Sequence, residues 1–476
     1  MKKIISLFLI LCLALSLVAC GGAAGGSDEG GQTEPKAQFK AGFGMADVTP
    51  DGSVPLASYG DSRERMSTGM YSFLEARAVA IQDENGDLLL FITGDLSWIP
   101  NNLGTQVRTE LAKELGIPEN HILLSGTHTH AGVDTSLVDI PTVVAFNNKF
   151  TEGLKQCARD AIADLKPAQV YVGSVMTEGL TFVKNYIMDD GSHAGDNFFG
   201  TGTTYVGHDG EADQELQMMK FVREGGKDIL IAQFQAHPHL EGKTTNFSAQ
   251  LFGYFRDAVE RDMDIHCLAW NGAAGNLNSN TRIPEEQRTT DRNEWAQILC
   301  DYAKSGYDSM TQVQTGPIKV ADMNYVATIN HAWDDYVDEA YLVQEYYDKT
   351  RDDKAAAFYA ESLGLYRCWR HARAIPGNAA RGATEEIYMH TWSFGEVSGV
   401  VLPYEMFCQT GMNIKAGSPF TQTFIVGYSW PSYTTYIPTK EAFEIGGYEV
   451  GNCHFVAGTA EEMEAHYLEL LRSMHE

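Results

Sequence analysis

Apolar and polar positions alternate with two different periods along this chain. Residues 79–81 and 88–93 are short apolar runs on either side of the polar segment 83–87, a pattern that predicts a β-hairpin. Residues 105–115 repeat apolar side chains at helical spacing and end before Gly116, which predicts an amphipathic helix. Both kinds of element therefore occur early in the chain.

The same alternation continues to the end of the sequence. Residues 169–173, 229–234 and 265–270 read as short buried strands, and the last two run directly into polar or small residues. Helical patterns cover 150–165, 335–374 and 460–474, the middle one as a single long helix or a pair. Because strands and helices alternate, we predict an α/β fold with mixed sheets.

The first twenty residues have the composition of an export signal. Lys2 and Lys3 precede an apolar run that ends in Leu17-Val18-Ala19-Cys20, the pattern of a bacterial lipobox. The run is short for a membrane span of about 20 residues, although a membrane helix or an ordinary cleaved signal peptide is the alternative. We predict a lipoprotein signal peptide over 1–19 and lipidation of Cys20. The protein would then be anchored by lipid to the extracytoplasmic face of the cell membrane.

The composition narrows the choice of partners. Residues 20–39 are mostly small and polar and predict a flexible linker, so the folded domain is expected over 40–476. The formal charge of −28 argues against nucleic acid as a partner, and we expect contact with the membrane through the lipid anchor only.

The cysteines beyond Cys20 are widely spaced without a CxxC pair, which favours free thiols in a large core.

The first candidate for chemistry is Thr127-His128-Thr129-His130, which follows the largely apolar segment 121–126. Two histidines at positions i and i+2 lie on one side of an extended segment. Neutral imidazole is the commonest protein ligand for zinc-type metals. Taken alone, the pattern fits a metal site and a pair of polar strand-end histidines equally well.

Further candidates follow predicted strands or lie within apolar sequence. Glu405 is the most telling of them, since a carboxylate among apolar residues is costly unless it is paired or binds a metal. Each candidate also has an ordinary explanation as a core histidine, a buried ion pair, a packed aromatic residue or a turn. The other candidates are His237, Tyr433, Tyr436, Asn276, Asn278 and Ser279.

Two longer motifs give the chain a resemblance to a known family. They are Gly42-Phe-Gly-Met-Ala-Asp47-Val-Thr49-Pro50 and the segment 117–132, which contains Thr127-His128-Thr129-His130-Ala131-Gly132. With these motifs the sequence resembles the N-terminal catalytic domain of the neutral/alkaline non-lysosomal ceramidases. The resemblance implies a large mixed-sheet zinc-hydrolase domain with surrounding helices. The chain ends soon after the tyrosine segment, so we expect no C-terminal immunoglobulin-like domain.

The resemblance also assigns roles to single residues. It implies that zinc is held by His128, His237, Glu405 and Tyr436. It further implies that His130 faces the substrate and that Tyr448 is an active-site tyrosine. The family's proposed serine nucleophile or contact corresponds here to Asn278. Either Ser279 serves after a shift of one residue, or no serine is needed.

These roles predict a zinc-dependent amidohydrolase. We expect zinc-activated water to cleave an N-acyl amide, ceramide-like or other, with His130 donating a proton to the oxyanion or the leaving nitrogen. Asn276 or Asn278 would be an oxyanion donor, and Asp95 could orient a ligand histidine. The alternatives are a zinc hydrolase acting on esters, peptides or sugar-linked amides, and a non-catalytic ligand-binding lipoprotein on a decayed hydrolase scaffold.

Overall fold

Strands dominate the part of the protein that carries the candidate site. The computed structural model describes residues 38–429 and 435–476; the predicted signal peptide, Cys20, nearly all of the linker and Tyr433 lie outside this range. The strands are β1 Lys40–Asp47, β2 Gly69–Met70, β3 Glu75–Gln82, β4 Leu88–Gly94, β5 Ile122–Gly126, β6 Lys166–Met176, β7 Phe182–Val183, β8 Tyr186–Met188, β9 His193–Ala194, β10 Tyr205–His208, β11 Glu215–Arg223, β12 Ile229–Phe234, β13 Asn246–Phe247, β14 His266–Asn271, β15 Leu277–Asn278, β16 Thr311–Gln312, β17 Ile318–Thr328, β18 Thr384–Phe394, β19 Val397–Val401, β20 Glu405–Met406, β21 Gln422–Val426 and β22 Tyr436–Ile437.

Most helices cover the sheets, and the three helices between residues 337 and 379 pack against one another. They are α1 Asn101–Leu115, α2 Pro141–Ala163, α3 Gln250–Met263, α4 Arg292–Tyr307, α5 Val337–Thr350, α6 Asp353–Ser362, α7 Trp369–Ala379, α8 Cys408–Gly417, α9 Ala442–Ile445, α10 Tyr448–Gly451 and α11 Thr459–His475. In the described residues no helix is both long and apolar enough to cross a bilayer.

The predicted α/β class with mixed sheets is confirmed. The largest sheet has nine strands in the order β14-β12-β11-β6-β1-β3-β4-β5, with β16 paired to β6. β4 and β5 are parallel, as are β12 and β14, whereas β1, β3, β6 and β11 pair antiparallel with their neighbours. A second sheet of four strands has the order β17-β18-β19-β21.

Most predicted elements occur with shifted ends. The hairpin is formed by β3 and β4, and α1 ends at Gly116, whose φ of 70° only glycine adopts readily. The predicted single helix or pair over 335–374 is wrong, because the structure has three helices there. Arg351 ends α5 in a left-handed conformation with φ of 52°, and Gly364 with φ of 84° follows α6.

The large sheet is curved, and this curvature positions the site. Trp270 on the edge strand β14 packs edge-on against Phe91 on β4, with 5.1 Å between ring centroids. Both side chains are fully buried. The carboxyl ends of β5 and β12, which lie near opposite edges of the sheet, are thereby brought together. The loops that follow these two strands carry the candidate histidines.

Candidate metal centre

His128 follows β5 in an unusual backbone conformation. The strand ends at Gly126, and His128 has a φ of 63°, a region that costs a residue other than glycine about 1–3 kcal/mol. The expectation of an extended segment that presents both histidines on one side is therefore wrong. Instead, the His128 N–H donates to the Leu96 carbonyl at 3.0 Å, and the ring stacks on Tyr428 with centroids 3.8 Å apart.

His130 and His237 approach His128 from two directions. The His130 backbone N–H donates to Oε1 of Gln250 at 2.7 Å, which anchors the second histidine of the motif. His237 follows β12, as the sequence predicts, and its side chain is 1 % exposed. Burial, followed by the charges of neighbouring groups, holds the pKa of both His130 and His237 well below the usual range, so both rings are neutral.

Glu405 and Tyr436 reach the site from a small separate sheet. They are directly paired in the parallel bridge between β20 and β22, and their side chains are hydrogen-bonded. Gly275, in the loop after β14, permits a close approach here, since a Cβ on it would lie 2.3 Å from the Glu405 carbonyl oxygen. Burial and then Glu405 raise the pKa of Tyr436 well above 10, so its hydroxyl stays protonated.

The side chains of these residues converge on one point. Nε2 of His128 lies 3.1 Å from Nε2 of His237 and 3.3 Å from Nε2 of His130. Oε2 of Glu405 lies 3.5 Å from Nε2 of His128 and 3.9 Å from Nε2 of His237. Two nitrogen ligands of one tetrahedral zinc lie roughly 3.3 Å apart, because Zn–N bonds are about 2.0–2.1 Å long. The observed separations match this spacing.

Hydrogen bonds at the far side of two rings fix their tautomers. Nδ1 of His128 lies 2.9 Å from the Ser97 carbonyl oxygen, and Nδ1 of His237 lies 3.2 Å from the Ala274 carbonyl oxygen. A carbonyl oxygen only accepts, so each Nδ1 carries a proton, and the two Nε2 atoms are left to face each other. Oε2 of Glu405 is also buried without a hydrogen-bond partner in the described residues. Three facing acceptor atoms fit a cation between them.

A cavity of about 770 Å³ opens over this cluster. Tyr448 lines it, as expected for an active-site tyrosine, and packs edge-on against Tyr436 with ring centroids 5.7 Å apart. Burial raises the pKa of Tyr448 to about 12, although Lys184 and Arg370 act in the opposite direction. Its hydroxyl therefore remains a hydrogen-bond donor near neutral pH.

The predicted oxyanion donors and the candidate serine lie elsewhere. The Asn276 side-chain oxygen accepts from the Cys408 N–H at 2.8 Å, and that of Asn278 accepts from the Asn280 N–H at 3.2 Å. The Ser279 hydroxyl, fully buried, accepts from the His239 N–H at 3.3 Å. None of the three is among the described residues that line the cavity. Their proposed roles stay predictions.

Asp95 supports the histidine loop indirectly. Its carboxylate forms a two-pronged ion pair with Arg256 at 2.9 and 2.7 Å and accepts from the Thr127 hydroxyl at 3.1 Å. Asp95 thus holds Thr127, the residue before His128, in position. The sequence alone suggests that Asp95 could orient a ligand histidine directly. The ring nitrogens of His128 and His237 use backbone carbonyls for that purpose.

Sequence reasoning missed two ionisable residues that line the cavity, Lys184 and His239. Lys184 follows β7 and forms an ion pair with Glu449 at 3.1 Å, both side chains being at most 2 % exposed. Lys184 also faces the rings of Tyr436 and Tyr448. His239, two residues after His237, lies with its ring centroid 4.6 Å from that of His130. A lysine directly after the apolar pair Phe182-Val183 was the available signal.

The part of the chain that carries the three histidines is similar to a known protein family. Residues 39–264 match the family described as neutral/alkaline non-lysosomal ceramidase, N-terminal. The matching family model describes the N-terminal region of those proteins. The resemblance predicted from the sequence is thus confirmed, and the matched region contains His128, His130 and His237. In this region the chain is similar to that family, and the structure adds a buried cluster of three histidines that is compatible with a metal ion.

Individual relatives match over shorter stretches. The neutral ceramidase of Oryza sativa subsp. japonica is 27% identical over 154 residues, which are 30% of this chain and 20% of that protein. The neutral ceramidase of Pseudomonas aeruginosa is 28% identical over 148 residues, 29% of this chain and 22% of that protein. The matched parts of the chain span about a fifth of the length of these curated relatives.

Solved structures confirm the fold over nearly the whole chain. A ceramidase in complex with C2 superposes with a TM-score of 0.69 at 15% identity, covering 92% of this chain and 75% of the other. The neutral ceramidase from Pseudomonas aeruginosa gives a TM-score of 0.68 with the same identity and coverage. The large mixed sheet with its surrounding helices is therefore the architecture of these proteins.

Proposed function

We propose that this protein is a lipid-anchored, extracytoplasmic zinc amidohydrolase that cleaves an N-acyl amide. The observation that carries the proposal is the convergence of His128, His237 and Glu405, with two lone pairs fixed toward one point by backbone carbonyls. Zinc prefers such a set of nitrogen and oxygen ligands, and Tyr436 lies beside it. The neutral ceramidases that it resembles support the choice of an amide bond.

Zinc bound there would lower the pKa of a water molecule and polarise a carbonyl group. Of the protein's own groups, His130 is placed to move protons. Its Nδ1 is buried without a hydrogen-bond partner in the described residues, unlike Nδ1 of His128 and His237. The ring can therefore hold its proton on either nitrogen. We assign to His130 the transfer of a proton from the attacking water to the leaving nitrogen as the C–N bond breaks.

Tyr448 and Lys184 complete the proposed machinery. Tyr448 keeps its proton and is available to donate a hydrogen bond to the oxygen on which negative charge develops. Lys184 lies 5.9 Å from the Tyr448 ring and holds a positive charge on the same wall of the cavity. Both groups stabilise an oxyanion without requiring a serine nucleophile.

A metal assay combined with hydrolysis tests the proposal. We expect about one zinc per chain, loss of zinc and activity in His237→Ala, and recovery of hydrolysis when zinc is returned to chelator-treated wild-type protein. His331→Ala, which removes a histidine at the protein surface, is the matched control and should keep both properties. A panel of N-acyl amides and matching esters identifies the bond. Zinc-loaded protein that hydrolyses no member would refute the proposal and favour a binding protein.

A further inference from the structure

The walls of the cavity provide no continuous aliphatic surface for a long hydrocarbon chain. Ala374 is the one aliphatic side chain among the described residues that line it; nearly all others are polar, charged or aromatic. Aromatic rings supply most of its apolar surface, and polar and charged groups are interleaved with them. The cavity therefore offers polar contacts to a ligand over much of its wall.

Two arginines stand on one wall of this cavity. Arg370 and Arg373 are three residues apart on α7, a spacing that places their side chains next to each other on one helix face. Within the described part of the chain, neither guanidinium forms an ion pair with a carboxylate, and Nε of Arg370 is buried without a partner. Arg370 is half-buried and Arg373 is exposed, whereas the buried Arg77 and Arg256 pair with carboxylates, Arg77 with Glu260 at 2.6 Å.

Trp369 holds the two guanidinium groups in place. They lie 4.7 Å and 5.9 Å from the centre of its indole ring. The indole itself is 3 % exposed, stacks on Tyr347 at 3.6 Å between centroids, and donates its N–H to Asp353. The arginines are therefore preorganised by packing.

The carboxylates of the same cavity are engaged with other groups. Glu405 belongs to the candidate metal centre, and Asp134 accepts from the N–H and hydroxyl of Ser136. Asp196 interacts electrostatically with Lys184, which also pairs with Glu449. In a chain with 63 acidic and 35 basic residues, two arginines left without carboxylate partners beside a polar cavity point to an external anion.

Tyr448 connects the arginines to the candidate metal centre. Its ring packs against Tyr436, the hydrogen-bond partner of Glu405, and Arg370 acts electrostatically on its hydroxyl. We propose that Arg370 and Arg373 bind a carboxylate on the substrate while its amide lies over the histidine cluster. This inference rests on the proposed amidase function and narrows its substrate to small polar N-acyl compounds that carry a carboxylate.

Ketone probes separate binding from hydrolysis. 4-Oxo-4-phenylbutanoate replaces the amide nitrogen of N-benzoylglycine with carbon and cannot be hydrolysed. 4-Oxo-4-phenylbutanamide is its neutral counterpart, and mass spectrometry of the recovered ligand checks that its carboxamide stays intact during the titration. By calorimetry we expect the purified wild-type protein to bind the acid about tenfold more tightly than the amide, with a smaller ratio at high salt. Arg370→Gln and Arg373→Gln should each reduce this ratio.

A control variant isolates the effect of the two arginines. Lys354→Gln removes one exposed positive charge from the neighbouring helix α6 and should leave the ratio unchanged. Equal binding of acid and amide by wild-type protein, or an unchanged ratio in the double Arg370→Gln/Arg373→Gln variant, would overturn the inference. Because binding of these probes requires no hydrolysis, absence of hydrolysis on the amide panel would count against the proposed function alone.

Discussion

Lys184 and Glu449 form an ion pair of 3.1 Å in which neither side chain is more than 2 % exposed. Burial lowers the pKa of Lys184, but Glu449 and other nearby acids outweigh it and the pKa is raised. Burial also raises the pKa of Glu449. Each charge thus depends on the other for its place in the protein interior.

Removing one member of this pair should destabilise the protein. We expect Glu449→Gln to lower the free energy of unfolding by about 3–5 kcal/mol, because it leaves the lysine buried and unpaired. The double variant Lys184→Met/Glu449→Leu should recover most of that loss. Urea unfolding measures both, with the exposed Glu345→Gln as an unchanged control. A double variant that is as unstable as the single one would contradict this view of the pair.

Acid should destabilise the protein through His371. Burial lowers its pKa to about 3, whereas the unfolded chain binds the proton near pH 6.5. A depressed histidine pKa gives stability that is full above pH 6.5 and is lost as the pH falls toward 3. We expect His371→Phe to reduce the slope of unfolding free energy against pH by about 1.4 kcal/mol per unit between these limits. His331→Gln is the control, and an identical slope in His371→Phe would refute the prediction.

Ser279→Ala distinguishes direct attack by water from a serine nucleophile. The Ser279 hydroxyl is buried and bound to the His239 N–H, so we expect turnover to change by less than about threefold and stability to fall by about 1 kcal/mol. A nucleophile would instead cost about 10³-fold or more. Single-turnover kinetics and mass spectrometry of the reacting protein provide the measurement. An acyl group trapped on Ser279 would establish the opposite mechanism.

Cys20→Ala tests the predicted lipid anchor. We expect the variant to move from the membrane fraction to the soluble fraction with its fold intact, because residues 20–39 have the composition of a linker. Mass spectrometry of the wild-type N-terminus should show a diacylglyceryl group on Cys20. A mature N-terminus at another residue, without lipid, would contradict the prediction.

The sequence predicted much of the fold because local periodicity determined it. β12 occurs over Ile229–Phe234 as predicted, and α11 differs by one residue at each end from the predicted 460–474. The three-helix arrangement was missed because no proline marks either boundary, although the polar run 350–354 and Gly364 are signals of helix ends.

The site was predictable as separate residues but not as an arrangement. His128, His237 and Glu405 each stood out in the sequence, and the structure brings them together, while their role as metal ligands stays a prediction. Three features depend on contacts distant in sequence. They are the curvature of the sheet, the positive φ of His128 and the lack of a partner for Nε of Arg370 among the described residues. No motif reports such contacts, so these features required the structure.

The curvature of the large sheet has a consequence for how the centre forms. His128 and His237 are separated by 109 residues in sequence and are attached to strands near opposite edges of the sheet. An ion bound by both histidines would link the two edges of the sheet. It could bind only after the strands at both edges had folded. Losing it would free the ends of β5 and β12 together, which would couple the lifetime of the native state to the supply of metal around the protein.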